Sequence, residues 1–300
     1  MKALIVANKE KPAVVAALDR IASAIDNRGM LLGINTETDT GPIGEDATAV
    51  LVLGGDGTLL WAARRLRGRQ IPLLGVNYGR LGFLASFTPK QFDDHFEDFL
   101  AGRLPTTHRL VLETSVVPPG EKSPVTHWAD IVKNRRFVST ALNDAVITAG
   151  PPFHMIELEI AADGASLGES PSSGVRYFGD GIIVATASGS TAYNVSAGGP
   201  IISPNVEAIC VTPLCPHSLS FRPVVISANS TVLITTIRVN DGTTIFCDGQ
   251  ESTRLVSGER IVIRKSPDPV LLVENPQSQE WHTLAAKLNW AASPGYNLHK

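Results

Sequence analysis

The stretch "LVLGGDGTLL", residues 51–60, decides how this chain is read. An apolar run enters Gly54-Gly55-Asp56-Gly57 and leaves through Thr58 into a second apolar stretch. Asp-Gly between two strands marks a hairpin. Here the residues from Thr58 to about Arg67 read as a helix, so the bend joins a strand to a helix. Backbone N–H groups at such a helix start can meet an anion, and glycines let a phosphate approach the main chain. In an open parallel sheet this lies at the carboxyl edge of the strands, where ligands bind. Asp56 then has two readings. It caps the helix, or it serves chemistry beside phosphates, by binding a cation or by taking a proton from an attacking hydroxyl.

Outward from the bend, the first hundred residues alternate strand and helix. Residues 3–7, 49–53 and 71–77 are continuous apolar runs, and Val14, Leu18, Ile21 and Ile25 recur at helical spacing. Thr88 reads as an N-cap with Pro89 at the first helical position. Phe92, Phe96 and Phe99 supply that helix with a buried face, and Gly102 ends it. This predicts an α/β domain with a parallel, Rossmann-like sheet covered on both faces. From about residue 107 the period changes to two, with strand-like runs at 137–148, 155–161, 182–186, 223–227, 231–239, 243–247, 260–264 and 270–273. Asp163-Gly164 and Asn240-Asp241-Gly242 read as turns. An all-β C-terminal domain follows from this. The tail "EWHTLAAKLNW" returns to helical spacing. The expected boundaries are 1–105 with the tail 276–300, and 106–275.

The 300 residues are 43% hydrophobic and 18% charged, with a net charge of −3. That suits a chain with a real core and argues against nucleic acid as a partner. Cys210, Cys215 and Cys247 form no C-x-x-C pair, which favours a reducing, cytoplasmic setting over disulfides or a zinc site. No apolar run of about 18 residues occurs, so no membrane span is expected. "MKALIVANKE" reads as a first strand.

The bend is neither a P-loop nor a dinucleotide fingerprint, and it carries no lysine of its own, so a metal ion is expected to help neutralise phosphates there. A second constellation, "GDGIIVATASGSTAYNVSAGG" (179–199), offers many small residues and hydroxyls. It is not a nucleophile elbow, so His217 has no serine to serve and reads as structural. Asn143-Asp144 sits in an apolar run. The pair suits sugar hydroxyls or a strand-end turn.

Together these residues resemble the NAD kinase family. The resemblance rests on "GGDGT" (54–58), "GVNYGRLGFLA" (75–85), "LNDAVI" (142–147), "DGIIVATASGSTAYNVSAGGPIISP" (180–204), "TPLCPHSLSFRP" (212–223), "CDGQ" (247–250) and "KLNW" (287–290). It implies a two-domain NAD kinase-like architecture, with a phosphate-loop domain and a dinucleotide-binding β domain. It implies transfer of the γ-phosphoryl of ATP to the 2′-hydroxyl of the adenosine ribose of NAD, giving NADP. It also implies homodimers or homotetramers. A divalent metal, Mg²⁺, is implied too, held through the substrate phosphates with Asp56 as the candidate protein ligand. Carried over residue by residue, Asp56 matches the catalytic aspartate, and Gly54, Gly55, Gly57 and Thr58 match the phosphate loop. Asp56 and Gly57 also lie beside the dinucleotide. Asn143 and Asp144 match the ribose-holding pair, Phe83 an aromatic near the adenine, and Asp180 an acid near the nicotinamide. Ser188, Thr191, Ala192, Tyr193, Asn194, Val195 and Ser196 match the loop around the dinucleotide. His154 and Gln250 match more variable contacts.

Two departures stand out. Ala187 replaces a more usual Pro, and Phe178 occupies a place where basic or polar residues are common, which leaves NAD against NADH open. Arg64, Arg65 and Arg67 are candidates for the donor phosphates or for a solvated helix face. A lipid or sugar kinase sharing only the glycine loop would not need the 180–199 loop. A non-catalytic NAD-binding protein would not need Asp56. A plain structural β protein explains neither loop.

Overall fold

The apolar run that enters the glycine bend forms a parallel strand, and the stretch that leaves it forms a helix. The computed structural model describes residues 1–36, 39, 41, 43–79, 82–120, 128–164, 174–278 and 280–288. The chain divides into two units. One comprises Met1–Arg67, Ile71–Thr107 and Leu271–Lys300; the other comprises Gly68–Gln70 and His108–Val270.

In the first unit, β1 (Ala3–Ala7), β2 (Leu31–Thr36), β3 (Ala49–Gly54) and β4 (Leu73–Asn77) pair in parallel in the order β2-β1-β3-β4. Every residue of β1, β3 and β4 is buried, as continuous apolar runs require in a sheet covered on both faces. The edge strand β2 has mixed polarity and alternates in exposure, so its sequence carried no run to notice. Helix α1 (Pro12–Asp26) buries Val14, Leu18, Ile21 and Ile25, the spacing read from the sequence, in one cluster with Ile5, Leu51 and Leu53.

Thr88 caps the segment after β4 through a capping box with Gln91, as Thr88-Pro89 implied. The single helix expected there is two short ones, Pro89–Asp94 and Phe96–Leu100. His95, at φ −109° and ψ 13°, breaks the turn between them. Phe92 and Phe99 are still buried together. The run 270–273 was expected in the β-rich half. Val270–Val273 instead pairs in parallel with β4 and extends the first sheet, followed by Thr106–Arg109 at its edge.

The second unit holds two six-stranded sheets with antiparallel pairing throughout. One runs Val175–Gly179, Ile156–Gly164, Ser230–Arg238, Arg260–Lys265, Leu112–Val117, Phe137–Ala141. The other runs Val224–Ser227, Ala208–Leu214, Gly181–Thr186, Asp144–Thr148, Thr244–Cys247, Glu251–Arg254. Leu158, Val232, Ile234 and Ile261 of the first sheet share a buried cluster with Ile147, Ile182, Val184 and Ile245 of the second. This is sandwich packing.

Three details differ from the sequence reading. Asp163-Gly164, read as a turn, ends the strand Ile156–Gly164 and pairs with Thr231 and Ser230. The run 137–148 is two strands in different sheets, so Leu142-Asn143 is a crossover. Asn240-Asp241-Gly242 also links strands of different sheets and is not a hairpin turn. The tight turn is Asp248-Gly249, where both residues have positive φ, closed by the Gln250 N–H on the Cys247 carbonyl at 3.0 Å. Among the described residues no helix is long and apolar enough to cross a membrane.

Candidate active site

Strand β3 delivers Gly54 to the carboxyl edge of the first sheet, and helix α2 (Asp56–Arg65) begins two residues later. Gly55 is the N-cap and offers no side chain; Asp56 is the first helical residue and does not cap. Its carboxylate instead accepts three successive backbone N–H groups. Phe83 donates to Oδ2 at 2.8 Å, and Leu84 and Ala85 donate to Oδ1 at 3.3 and 2.9 Å. That removes the capping reading of this residue. An ionised carboxylate offers about four acceptor positions, so about one remains for another donor. Gly82 makes the geometry possible: a Cβ there would lie 1.7 Å from Asp56 Oδ1. Thr58 is buried, packed beneath Gly54, while a side chain at Gly57 would meet nothing within 4 Å. Thr58 therefore supports the loop from below, and the face at Gly57 is open to a ligand.

The cations at this loop are not those the sequence offered. Arg64 and Arg65 stand at the far end of α2, about 12 Å along the axis from Asp56, and Arg67 follows them. Arg65 lies over the Trp61 ring at 4.8 Å and donates to the Gly41 carbonyl. The residue at the loop is Lys11, from the turn between β1 and α1, whose Nζ donates to the Gly54 carbonyl at 3.0 Å. A second lysine, Lys287 on the C-terminal helix Glu280–Leu288, places Nζ 3.9 Å from the centre of the Phe83 ring. That nitrogen is buried without a hydrogen-bond partner. Burial lowers its pKa to about 8, against the opposing pull of Asp56. The sign of the linkage follows. Between pH 8 and the ordinary value of 10.5 the unfolded chain holds a proton that the folded chain has released, so stability rises with pH across that window. Melting curves of wild type and Lys287→Met from pH 7.5 to 10 should show the wild type gaining on the variant as pH rises. A constant difference would remove this assignment.

In the second unit, Asn143 lies in the crossover between sheets and Asp144 begins the strand after it. Asp248, in its turn at φ 53°, accepts N–H bonds from Leu142, Asn143 and Asp144 at 2.9, 2.7 and 3.2 Å. Asp144 is buried, and its pKa is pushed up to about 7, first by loss of water and then by the Asp248 charge; the Tyr193 N–H opposes this. The 186–199 loop is fastened to the same place. Thr186 donates its N–H to the Asn143 carbonyl and its hydroxyl to that of Leu142, and it accepts the Gly189 N–H. A Cβ on Gly189 would lie 2.0 Å from the Asn143 carbonyl oxygen. Ala187 holds φ −58°, the angle that a proline ring would fix, so this departure leaves the loop backbone in place.

Asn143, Asp144, Ser188 and the 191–196 segment therefore meet at one end of the second sheet. Gln250 follows in the Asp248 turn. Asn194 belongs to the scaffold there. Its amide donates to the Ser190 and Pro200 carbonyls, and its oxygen accepts the Thr212 hydroxyl. Tyr193 is exposed. Asp180 is elsewhere. Ala185 pairs with Asp144, and Asp180 lies five residues back along that strand, about 17 Å away. At that far end Asp180 is joined by Phe178, whose carbonyl accepts the His217 N–H, and by Cys215, whose thiol bonds to Asp180 and is held protonated by its carboxylate. His154, in the loop after Thr148, is exposed at the same end. Among the described residues no group of three His, Cys, Asp or Glu side chains is placed to hold a metal.

A family model described as the ATP-NAD kinase N-terminal domain matches residues 5–104, and one described as the ATP-NAD kinase C-terminal domain matches 142–275. The chain belongs to the NAD kinase family. It is 37% identical over 250 residues to the NAD kinase of Gemmatimonas aurantiaca, covering 82% of this chain and 79% of that one. The NAD kinase of Cupriavidus pinatubonensis is 39% identical over 252 residues, covering 84% and 76%. Among solved structures, an Archaeoglobus fulgidus NAD kinase in complex with ATP matches with TM-score 0.70 and 25% identity, over 96% of this chain and 99% of that one. A yeast NADH kinase matches in fold, with TM-score 0.81 and 24% identity over 100% and 90%. As a member of this family the protein is a phosphotransferase of the NAD kinase type.

Proposed function

We propose that the protein transfers the γ-phosphoryl group of ATP to the 2′-hydroxyl of the adenosine ribose of NAD, with Asp56 taking the hydroxyl proton. The observation that carries this reading is the Asp56 carboxylate. It is fixed at the carboxyl edge of a parallel sheet by three N–H donors, with acceptor capacity to spare, beside Gly57, where a side chain would meet nothing within 4 Å. A ribose hydroxyl is a poor nucleophile, and phosphoryl transfer rests on positioning and charge neutralisation. In this reading Gly55 and Gly57 present bare backbone to phosphates, and Phe83 meets the adenine. Asn143 and Asp144 hold ribose hydroxyls, and Ser188 with residues 191–196 wraps the dinucleotide. ATP as donor is supported by the Archaeoglobus relative, which was solved with it.

A divalent cation, Mg²⁺, fits these residues only as a companion of the substrate phosphates. Asp56 is the one carboxylate on the loop, and most of its acceptor capacity is engaged. Bound there, the ion would supply charge neutralisation. Asp180 and His154 stand at the other end of the sheet from Asn143, with Asp180 about 17 Å from Asp144. In this reading Asp180 stands near the nicotinamide and His154 is a more variable contact, and a homodimer or homotetramer is the expected assembly. The expected setting is the cytoplasm, with neither nucleic acid nor membrane as a partner.

The test is NADP formation from NAD, ATP and Mg²⁺, with NADH, other nucleotides and polyphosphate in parallel. NADP from wild type is the expected result. No phosphorylated dinucleotide from any of these by a folded protein would overturn the reading.

A further inference from the structure

Lys11 is 43 residues from Gly54 in sequence yet lies against it. The parallel topology explains this. Strands β1 and β3 are neighbours, so the turns that follow them open on the same edge of the sheet. Lys11 Nζ lies at the meeting of three turns. It donates to the Gly54 carbonyl at 3.0 Å, a Cβ on Gly55 would lie 3.0 Å from it, and one on Gly79 would lie 3.4 Å away. Neither glycine sets a side chain against the ammonium; the Asn77 amide oxygen, which accepts the Gly79 N–H at 2.8 Å, also lies near both. An ammonium has three donors, and the Gly54 carbonyl takes one. Lys11 is half-buried, so the other two remain within reach of solvent or a ligand.

We infer that Lys11 is a donor-phosphate ligand: its ammonium binds a non-transferring phosphate oxygen of the nucleoside triphosphate that lies on Gly55 and Gly57. The bend has no lysine within it, and the fold supplies one from the neighbouring turn. A compact ammonium on a flexible stem suits a phosphate oxygen. The bond to the Gly54 carbonyl holds it against the loop before the nucleotide arrives. This assignment rests on the phosphoryl-transfer reading above.

The experiment compares wild type, Lys11→Met and Lys11→Arg. In steady state, Lys11→Met should raise KM for ATP about 10–100-fold while KM for NAD stays within about twofold of wild type, and Lys11→Arg should recover part of the loss. A lysine that only braced the Gly54 carbonyl would alter melting temperature and both KM values together, and that outcome would overturn the assignment. A second readout needs no turnover. Tripolyphosphate, with and without Mg²⁺, should raise the melting temperature of wild type and lose most of that effect in Lys11→Met, while adenosine should act equally on both. Equal stabilisation of both proteins by tripolyphosphate would refute the role of Lys11 even if NADP forms. An inactive wild type that tripolyphosphate still protects through Lys11 would refute the reaction and leave the phosphate site.

Discussion

Asp56→Asn should leave a folded protein whose kcat is lower by roughly 10²–10⁴-fold, the range for loss of a positioned base, with KM for NAD little changed. The substitution is not silent for the fold. Phe83, Leu84 and Ala85 aim three N–H groups at the two carboxylate oxygens. An amide supplies one oxygen and turns its own donors towards at least one N–H. Leaving such a group unsatisfied costs about 1–3 kcal/mol, so the melting temperature should fall as well. A companion variant separates chemistry from support. Gly82→Ala keeps the carboxylate and removes the room for it, because the new Cβ would lie 1.7 Å from Oδ1. It should also lose turnover, with the acid intact but displaced. If Asp56→Asn retained turnover within about tenfold of wild type, the proton would have another destination, and the base assignment would fall.

The core-facing residues were readable because their chemistry repeats. Val14, Leu18, Ile21 and Ile25 bury one helix face, and the runs of β1, β3 and β4 are buried along their whole length. Elements without such a period escaped. β2 is a half-exposed edge, His95 splits a helix that the phenylalanine spacing alone would continue, and 270–273 is a strand whose sheet is set by topology and not by its residues. The same limit applies to the site. Asp56 announced itself in the glycine bend, but its partners are backbone N–H groups 27 to 29 residues away, which no side-chain pattern encodes. Lys11 was legible in principle: two adjacent parallel strands must open their following turns on one edge, and Lys11 starts the helix after β1. Arg64, Arg65 and Arg67 drew attention by nearness in sequence, and helix geometry sends them to the wrong end. Asn194 sits in a polar loop, yet its amide is consumed by the Ser190 and Pro200 carbonyls of that loop and by the Thr212 hydroxyl of the strand Ala208–Leu214.

Asp248→Asn should shift the pH dependence of NAD use, through Asp144. Asn tolerates the φ of 53° found at position 248, so the turn should survive. The amide again satisfies fewer of its three N–H donors, from Leu142, Asn143 and Asp144, at a cost of about 1–3 kcal/mol. Its larger consequence is electrostatic. The Asp248 charge helps hold the Asp144 pKa up to about 7, and removing it should lower that value, leaving burial as the main cause of the rise. Between 3.8 and about 7 the folded chain holds a proton on Asp144 that the unfolded chain has released, so this group subtracts stability as pH rises through the window. The stability deficit of Asp248→Asn relative to wild type should therefore shrink from pH 4 to pH 7. Ionised Asp144 accepts the ribose hydroxyls in the proposed reaction, so kcat/KM for NAD in wild type should rise through about pH 7. The acid limb of the variant should lie at lower pH. Superimposable acid limbs would mean that Asp144 meets the ribose without titrating, or that it does not meet the ribose at all.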